Sequence, residues 1–565
     1  MLQATPYACP EFLMKLLLLL TLLVGAMHPA KVLASQPASS FLQVPGEASR
    51  TAKAAATPIR WKHARFPENR LVRLAYGEMS AARILQVQQY NATRVMKPTQ
   101  IGIGRVASRE GSRSNLSSLQ WLTLADGSSV ARAEFSSPVA LALRVGLVAS
   151  RIDPRAELRF AGSDDSQRIV AAITGLEIRR LTDAGGLFWT PSTDGETQFV
   201  ELYLPPGVSR RTTSLQSPEL SHLLSSSVTD FKIIPKVGES DGCNVDAVCK
   251  VAELGPHYVN AKNAVAHMQF QQTRTNGTVG TFVCTGTLLT DTVAATQLPY
   301  FYTAHHCFAG GMGGVPATTD FQSVANTLNT YWKYETTSCG SGIEGNTELL
   351  VGGADFLYSN ADTDAMLLRL ARAAPAGSYF SGWNTGALAA SSDVVAIHHP
   401  GGDAKKVSLG RRLQNNAFRN EVGWLLGTTE SGSSGSAIFT ADANGYALRG
   451  GLWGGSASCS DHPDANGNGL SDDPVGNLGH DGNRDYYSRF DVAFPGISQY
   501  LAPASSLPIR VNGSQPLIPP RAAPISPSAS AAMTAPAAQA DTVARDRALR
   551  IKPLSRLRDV RIFEP

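Results

Sequence analysis

The chain alternates between apolar and polar residues in short runs through most of its length. In the first half, turn clusters of Asp, Ser, Pro and Gly separate such runs at 140–148, 156–161 and 198–204. Strict alternation over a short run is typical of a half-buried β-strand, because successive side chains point to opposite faces. The region from about residue 70 to residue 206 therefore predicts a small all-β domain.

A second series of short strands extends from Cys243 to about Ala502, where Gly, Thr and Ser are frequent. Turn residues break the apolar runs at short intervals, which is the pattern of a sandwich or a barrel rather than of βαβ units. The strand candidates are 280–289, 347–351, 365–370, 393–398 and 446–453. We therefore expect an all-β fold for this region as well.

The first residues have a different pattern. Met14 and a lysine precede an apolar run at 16–27, and a small-residue cleavage site follows. This arrangement is typical of a secretory signal peptide. We expect a signal peptide over residues 1–34, with Met14 as an alternative start because residues 1–13 contain no Lys or Arg. The apolar run is too short to span a bilayer and no other stretch qualifies, so we expect a secreted, extracellular protein without a membrane span.

Charge and cysteine content narrow the range of functions. A net charge of +4 over 565 residues is small and argues against a dense basic patch, so we expect no nucleic-acid binding. Of seven cysteines, Cys9 falls in the predicted signal peptide and the other six lie in the second β region. An even number of cysteines in an exported domain predicts three disulfides. Their pairing cannot be read from the sequence, because six cysteines allow many connectivities.

A glycine-rich turn carries the candidate nucleophile. Residues 427–439 read G-T-T-E-S-G-S-S-G-S-A-I-F, which places Ser434 between Gly432 and Gly435 just before an apolar strand. Such a turn can expose a hydroxyl beside converging backbone N–H groups, as an oxyanion hole requires. The alternative is an ordinary flexible loop, so the turn needs support from residues elsewhere.

Supporting residues occur upstream. Residues 300–307 read Y-F-Y-T-A-H-H-C and residues 363–370 read T-D-A-M-L-L-R-L, so that His and Asp stand at the ends of apolar strands. With Ser434 they give His, Asp and Ser in that order. A serine hydroxyl needs a base to become a good nucleophile, and the base needs a carboxylate that fixes its tautomer and stabilises the imidazolium. The ordered set predicts nucleophilic catalysis on Ser434.

These motifs resemble the trypsin-like serine proteases of the chymotrypsin fold, and in particular the bacterial lysyl endopeptidase group. The resemblance covers about 237–502 and includes C-N-V-D-A-V-C at 243–249, W-K-Y-E-T-T-S-C at 332–339 and I-H-H-P at 397–400. It implies a catalytic domain of two six-stranded antiparallel β-barrels, preceded by a small β-rich pro-domain. It also implies a secreted serine endopeptidase that cleaves proteins or peptides after basic residues, Lys ahead of Arg, through an acyl-enzyme.

Together with the signal peptide and the composition of the remaining segments, the resemblance predicts a precursor organisation. Its four parts are a signal peptide at 1–34, a pro-region at 35–236, a protease domain at 237–502, and a Pro/Ala-rich linker with a basic tail at 503–565. The pro-region would act as a folding aid or an inhibitor. Ser433 stands where trypsin-like enzymes keep the aspartate that pairs with a newly freed N-terminus, so we expect removal of the pro-region to uncover the site. A cut after Lys236 is one that the enzyme could make itself.

The resemblance assigns the site residues in turn. It makes Ser434 the nucleophile, Asp364 the orienting acid and His306 the base, because the family pattern places the base directly before the cysteine. His305 is then a packed neighbour. The backbone N–H groups of Gly432 and Ser434 would form the oxyanion hole. The implied disulfides are Cys243–Cys459, Cys249–Cys339 and Cys284–Cys307.

Substrate preference is expected to depend on residues outside the serine turn. The position of the acid at the pocket floor of trypsin is Thr428 here, and the aspartate of the lysyl endopeptidases matches Asp485. A buried carboxylate favours a cationic side chain, and a compact pocket favours the ammonium of Lys over the guanidinium of Arg. Trp453 and Gly454 match the strand that pairs with the substrate backbone, although this group has a histidine where Trp453 stands.

Alternatives stay open at this stage. Asp485 is either the pocket acid or a surface charge paired with Arg484 or Arg489, and Glu430 is another candidate for the pocket acid. A protease that prefers acidic or small side chains is one alternative function. A non-catalytic adhesin or toxin-like protein on the same fold is another.

The expected chemistry requires no cofactor. Oxygen side chains followed by glycines resemble a calcium loop, but Val475 stands where the final bidentate Glu would be, and a plain Asn/Asp/Gly turn is the alternative. The candidate ligands are Asp464, Asn466, Asn468 and Asp472. The pairs His305–His306 and His398–His399 do not fit a usual zinc spacing, so we expect no zinc site.

Overall fold

The structure is a computed structural model of the chain. The described residues are 41–53, 58–92, 98–109, 116, 119–182, 186–226, 239–274, 277, 279–309, 319–461, 478 and 482–503. All of them belong to one unit that ends at Ala504. The predicted signal peptide, the cut after Lys236, the candidate calcium loop and the tail beyond residue 503 lie outside the described residues. Within the described ranges, no helix is both long enough and apolar enough to cross a membrane.

The N-terminal region, residues 41–226, consists mainly of β-strands. They are β1 (Gln43–Val44), β2 (Glu47–Ala48), β3 (Val72–Ala75), β4 (Thr99–Val106), β5 (Leu122–Thr123), β6 (Ser129–Ser136), β7 (Ala142–Arg151), β8 (Glu157–Gly162), β9 (Ala171–Thr174), β10 (Phe188–Trp189), β11 (Thr193–Asp194), β12 (Thr197–Leu204) and β13 (Ser214–Leu223). The helices are α1 (Ala81–Ala92) and α2 (Gly175–Thr182), with 3-10 turns at Glu68–Arg70 and Arg210–Thr212. The alternating runs of the sequence correspond to β7, β8 and β12, so the predicted β-rich domain is confirmed.

Two sheets of the N-terminal region enclose one apolar core. The first runs β3-β6-β12-β8-β9, and the second contains β10, β7, β13 and β4 in that order. Side chains from both sheets are buried together, among them Phe135, Val145, Leu158, Phe160 and Leu202. Along β8, Leu158 and Phe160 alternate with the partly exposed Glu157 and Arg159, which is the period-two pattern of a strand with one buried face.

The C-terminal region, residues 239–503, contains the remaining elements. Its strands are β14 (Val245–Asp246), β15 (Val265–Thr273), β16 (Val279–Leu289), β17 (Tyr300–Ala304), β18 (Asn329–Trp332), β19 (Glu348–Leu350), β20 (Ala354–Asn360), β21 (Ala365–Leu370), β22 (Tyr379–Phe380), β23 (Gly382–Asn384), β24 (Asp393–His398), β25 (Lys406–Asn415), β26 (Arg419–Leu426), β27 (Ala437–Asp442), β28 (Gly445–Gly455) and β29 (Asp485–Ser488). Its helices are α3 (Val251–Ala264), α4 (His305–Ala309), α5 (Phe321–Ala325) and α6 (Phe490–Leu501). Short 3-10 turns lie at Ala247–Lys250, Pro400–Gly402 and Cys459–Asp461.

The second half of this region is a closed six-stranded barrel. The strands pair in the order β28-β27-β24-β25-β26-β29, and β29 pairs back onto β28. Trp424, Ile438, Leu452 and Tyr487 fill its interior. Closure matters for the site because both strands that flank the serine turn, β26 and β27, belong to this barrel.

The first half is a curled half-barrel. Its strands follow the order β19-β18-β15-β16-β17-β21-β20 around a core that includes Phe270, Phe301, Trp332 and Leu368. A separate apolar cluster joins the two halves. The predicted all-β, two-barrel class is therefore confirmed, with one barrel closed and the other curled.

The N-terminal region shares sheets with both halves of the C-terminal region. Strand β4 pairs antiparallel with β16, so one sheet runs from the N-terminal region into the half-barrel. Residues 41–53, which we call the strap, cross to the other half: β1 pairs with β23 and β2 with β22. The N-terminal region therefore contacts the C-terminal region at two separate sheet edges.

Candidate active site

The turn that carries Ser434 lies between β26 and β27, at the junction of the two halves. Gly432 and Gly435 have positive φ angles of 96° and 79°, which favour glycine because other side chains meet the following carbonyl there. A Cβ at Gly435 would also overlap the hydroxyl of Thr303 on β17. The backbone N–H of Gly435 donates to the carbonyl oxygen of Leu452 at 2.9 Å. The glycines thus allow Ser434 to approach both β17 and β28.

Thr285 on β16 holds this turn from the opposite side. Its backbone N–H donates to the carbonyl oxygen of Ser434 at 2.8 Å, and its hydroxyl donates to that of Gly432 at 3.0 Å. The same hydroxyl accepts from the backbone N–H of His399 at 3.1 Å. Both residues of the expected oxyanion hole are therefore fixed by one threonine that the sequence analysis missed.

His306 and Asp364 meet where α4 follows β17. Nδ1 of His306 lies 2.9 Å from Oδ2 of Asp364, and the backbone N–H of His306 donates to Oδ1, also at 2.9 Å. Both side chains are 3% exposed. Asp364 has a φ of 59°, in the left-handed region that non-glycine residues seldom adopt. The two hydrogen bonds from His306 help to hold the carboxylate in this conformation.

The other ring nitrogen of His306, Nε2, is not engaged by Asp364. Nε2 is buried and has no hydrogen-bond partner in the structure. The disulfide Cys284–Cys307 joins the residue after His306 to the residue before Thr285. Sγ of Cys307 lies 3.7 Å from the carbonyl oxygen of Ser434. The structure therefore brings His306, Asp364 and Ser434 into one site, with the imidazole held by Asp364 and not hydrogen-bonded to the serine hydroxyl.

His305, the other candidate base, has different partners. Its Nδ1 lies 2.7 Å from the hydroxyl of Ser359, and its ring packs edge-on against Phe321. Burial lowers its pKa below the usual value, and the nearby charge of Asp364 opposes that effect. The imidazole of His305 points toward Ser359, so the carboxylate of Asp364 bonds to His306 instead.

Ser433 belongs to a buried network behind the turn. Its hydroxyl lies 2.8 Å from Nδ1 of His398 and accepts from the backbone N–H of Glu430 at 3.2 Å. Nε2 of His398 lies 3.0 Å from the hydroxyl of Ser408. Burial lowers the pKa of His398 to about 3, so this imidazole is neutral at physiological pH. The four histidines weighed as zinc ligands have separate partners and do not share one site.

Asp485 is buried beside the serine turn. It is 1% exposed, and its Oδ2 accepts from the indole N–H of Trp424 and from the hydroxyl of Thr429, both at 2.7 Å. A Cβ at Gly455 would overlap Oδ1, so this oxygen faces β28. Thr429 directly follows Thr428, the position of the pocket acid in trypsin. The carboxylate thus enters the same part of the barrel from a different strand.

The two arginines that were candidate partners of Asp485 each pair with another carboxylate among the described residues. Arg484 pairs with Glu421, and Arg489 pairs with Asp491 at 2.5 Å. Glu430, the other candidate acid, accepts from the backbone N–H of Asp241 at 2.9 Å and from Nδ2 of Asn244 at 2.5 Å. Its carboxylate therefore binds the segment near residue 241.

Trp453 and Gly454 lie on β28, at a bulge in its pairing with β29. The indole ring of Trp453 meets Tyr486 edge-on, and the guanidinium of Arg419 lies 5.2 Å from its centroid. Nη1 of Arg419 donates to the carbonyl oxygen of Asp362 at 2.5 Å. A cation–π contact therefore occupies the position where the resemblance led us to expect a histidine.

The structure contains three disulfides, which join Cys243 to Cys459, Cys249 to Cys339 and Cys284 to Cys307. These are the pairs that the resemblance implied. The first joins the start of the C-terminal region to the segment after β28. The third connects β16 to α4 beside His306, and so fixes two elements of the site to each other.

Comparisons with known proteins identify the family. The family described as "Lysyl endopeptidase, C-terminal domain" matches residues 237–470, and "Lysyl endopeptidase N-terminal domain" matches residues 75–224. A lysyl endopeptidase of Pseudomonas aeruginosa is 31% identical over 494 residues, which cover 82% of this chain and 96% of that protein. The chain belongs to the lysyl endopeptidase family. The predicted resemblance is confirmed, and the protein is a trypsin-like serine protease that acts on proteins or peptides.

Solved structures similar to this member of the lysyl endopeptidase family are also proteases. An HtrA-type protease with a tripeptide is 14% identical and matches over 44% of this chain and 62% of that one, with a TM-score of 0.26. A thermostable serine protease from an extremophilic microorganism is 13% identical, with coverage of 44% and 99% and a TM-score of 0.27. A protease from M. tuberculosis in its active form is 12% identical, with coverage of 50% and 96% and a TM-score of 0.28.

Proposed function

We propose that this protein is a secreted serine endopeptidase that cleaves peptide bonds on the carboxyl side of basic residues and prefers Lys to Arg. Residues 35–236 act as a pro-region and residues 237–502 as the protease domain. Ser434 is the nucleophile, His306 the base and then the acid, and Asp364 the residue that orients His306. The observation that carries the substrate preference is the buried carboxylate of Asp485.

The reaction begins at the serine hydroxyl. Oγ of Ser434 attacks the carbonyl carbon of the scissile bond while Nε2 of His306 takes the hydroxyl proton. The hydrogen bond between Nδ1–H and Asp364 keeps the proton on that nitrogen, so that Nε2 stays available as the acceptor. The buried position of Nε2 supports this role. Substrate binding would close the gap to the serine hydroxyl, as often occurs in sites that tighten only around substrate.

The tetrahedral intermediate then collapses. Backbone N–H groups of Gly432 and Ser434 donate to the oxyanion, and a single such donor contributes a rate factor on the order of a hundredfold or more. The imidazolium of His306 returns its proton to the leaving amine as the C–N bond breaks. Water then attacks the acyl-enzyme in the same way, with His306 as its base, and frees Ser434.

The preference for Lys follows from the charge and the fixed position of Asp485. Trp424 and Thr429 both donate to Oδ2, and these two hydrogen bonds orient the carboxylate. A positively charged side chain next to a buried carboxylate is favoured over a neutral one, because opposite charges attract strongly where water is excluded. An ammonium is compact, whereas a guanidinium is wide and planar and needs a matching fork of acceptors. Lys is therefore the preferred residue.

Cleavage-site profiling tests this proposal. The purified mature enzyme, Asp485→Asn and Glu430→Gln are each compared on a peptide library. We expect cleavage after Lys to dominate for the unmodified enzyme and for Glu430→Gln. In Asp485→Asn, kcat/KM for lysyl peptides should fall by on the order of a hundredfold, because the buried charge that pairs with the ammonium is lost. Labelling of Ser434 by a fluorophosphonate shows that each variant retains a reactive serine.

Two results would overturn parts of the proposal. An unchanged preference in Asp485→Asn together with an altered one in Glu430→Gln would move the pocket acid to Glu430. A wild-type protein that neither reacts with the fluorophosphonate nor cleaves any library peptide would instead be a non-catalytic protein on this fold. Cleavage after acidic or small residues would support a protease but reject an acidic pocket that binds basic side chains.

A further inference from the structure

One edge of β16 is shared between the half-barrel and the N-terminal region. Residues 279–287 of β16 pair with β15 on one side. On the other side, residues 287–289 pair with β17, and residues 280–283 pair with β4. Strands β4 and β17 therefore pair with the same edge of β16 at different positions. Of the two, β17 leads directly into His306.

The residues between these two pairings touch the catalytic site. Cys284 is bonded to Cys307, and Thr285 donates to the carbonyl oxygen of Ser434. On its other side the serine turn contacts β28, because the N–H groups of Gly435 and Leu452 bond across this boundary. Ser434 thus lies between β28 and the edge of β16.

A substrate must cross Ser434 from one of these strands toward the other. The acyl half of the peptide is proposed to pair with β28, next to Asp485. The leaving half then continues toward β16, where residues 280–283 present a sheet edge. Such an edge readily accepts an extended peptide, since its backbone groups need partners. In the precursor this edge is already paired with β4.

Side chains hold β4 in this position. Tyr90 on α1 packs edge-on against Phe282, and the guanidinium of Arg274 lies 3.8 Å above the Tyr90 ring. The side-chain amide of Asn91 bonds to both backbone groups of Gln100, at 2.8 and 3.0 Å. Close approach is also required, because a Cβ at Gly104 would overlap the carbonyl oxygen of Val279.

We propose that the pro-region inhibits the protease by strand addition: β4 occupies the edge of β16 that the leaving half of a peptide substrate needs. This inference rests on the proposed function and adds the surface through which the pro-region acts. The acyl side of Ser434, along β28, is not covered by β4. Inhibition is therefore directed against substrates that extend beyond the scissile bond.

The test compares two lysyl substrates on the intact precursor, with Lys236→Gln included to limit processing and the mass of each chain verified. One is a lysyl p-nitroanilide, which has no residues beyond the scissile bond, and the other is a quenched peptide with several residues after Lys. The wild-type precursor should cleave the anilide much better, relative to the mature enzyme, than the long peptide. Gly104→Ala should raise the long-to-short ratio about tenfold, because the added Cβ strains the β4–β16 pairing.

Gly77→Ala is the matched control. Gly77 lies in the same region, and an added Cβ there would meet nothing within 4 Å, so the ratio should stay at the wild-type value. Tyr90→Ala provides a second route to the same effect, without a clash, by removing the contact with Phe282. Thermal unfolding of each precursor shows whether a variant has lost its fold.

Three results would overturn the inference. One is a wild-type precursor with the same long-to-short ratio as the mature enzyme. Another is that Gly104→Ala and Tyr90→Ala both fold but have the same long-to-short ratio as Gly77→Ala. The third is a precursor that neither cleaves the anilide nor reacts with a fluorophosphonate, because inhibition would then not be confined to the leaving side. Failure of the mature enzyme on both lysyl substrates would reject the proposed function instead.

Discussion

At the scale of single residues, Thr285 is the best place to test how the site is held. We expect Thr285→Val to lower kcat about a hundredfold with little change in KM, since small displacements of a nucleophile have effects of this size. The variant removes the hydroxyl that joins Gly432 to His399 and so loosens the turn behind Ser434. Steady-state kinetics of the mature enzyme measure the effect, and Thr285→Ser should restore most of the rate.

Thr287 supplies the control for this prediction. It lies two residues further along β16, is equally buried, and its hydroxyl has no hydrogen-bond partner. Thr287→Val should leave kcat and KM close to wild type. If both valine variants lost the same activity, the bonds of Thr285 would not be what positions the serine.

The sequence predicted some site residues better than others. His306, Asp364 and Ser434 stand at the ends of apolar strands within recognisable motifs, so their grouping could be predicted. Thr285 and Trp424 carry no such pattern. Their partners Gly432 and Asp485 lie 147 and 61 residues away, and contacts between distant residues become visible only once the strands are paired.

At the scale of elements, the buried histidines at β15 and β24 predict acid sensitivity. Burial lowers the pKa of His267 and of His398 to about 3, from an ordinary value of 6.5. Below pH 6.5 the unfolded chain binds protons that these folded histidines do not, so stability falls as pH decreases toward 3. Each histidine should lower the folding equilibrium constant about tenfold per pH unit in this window.

His267→Phe measures this contribution. The ring of His267 packs against Tyr331, Tyr334 and His399, and its Nδ1 is buried without a partner, so phenylalanine keeps the packing and removes the titration. Urea unfolding of a Ser434→Ala precursor at pH 7 and pH 5 should show a smaller loss of stability with this change. Equal losses with and without His267 would show that it does not stay neutral in the folded protein.

The elements themselves were largely predictable, but their partners were not. Short apolar or alternating runs bounded by turn residues predicted β7, β8, β12, β16, β21 and β24, because each strand buries most of its side chains. Periodicity does not encode which edge pairs with which, so neither the closure of the second barrel nor the β4–β16 pairing could be predicted. The two-barrel class came from the resemblance of the site motifs.

At the scale of the whole molecule, the strap predicts how firmly the pro-region is held. It pairs with β22 and β23, whereas β4 pairs with β16, so two linked contacts act together. A Cβ at Gly46 would overlap the carbonyl oxygen of Phe380 and the ring of Tyr379. In a Ser434→Ala chain cut at an engineered site between residues 226 and 239, Gly46→Ala should speed dissociation of the pro-region about tenfold or more.

Size-exclusion chromatography and surface-bound dissociation rates measure this effect, with Gly77→Ala as the control. Gly46→Ala should dissociate clearly faster than Gly77→Ala, because only the Cβ added at Gly46 meets neighbouring backbone. Equal dissociation rates would show that the strap contributes nothing to retention of the pro-region.

The distribution of the disulfides has a consequence for timing. All three lie between Cys243 and Cys459, and none joins the C-terminal region to the described residues before it. After a single backbone cut, the described parts of the two pieces are joined only by non-covalent contacts: hydrogen bonds, packing and ion pairs such as that between Glu177 and Arg372. The cut protease then stays inhibited only until the pro-region dissociates. Rebinding of the pro-region depends on the concentration of the two pieces. In a crowded compartment the pieces would recombine, whereas dilution into a large volume would separate them, so dilution itself would trigger activity.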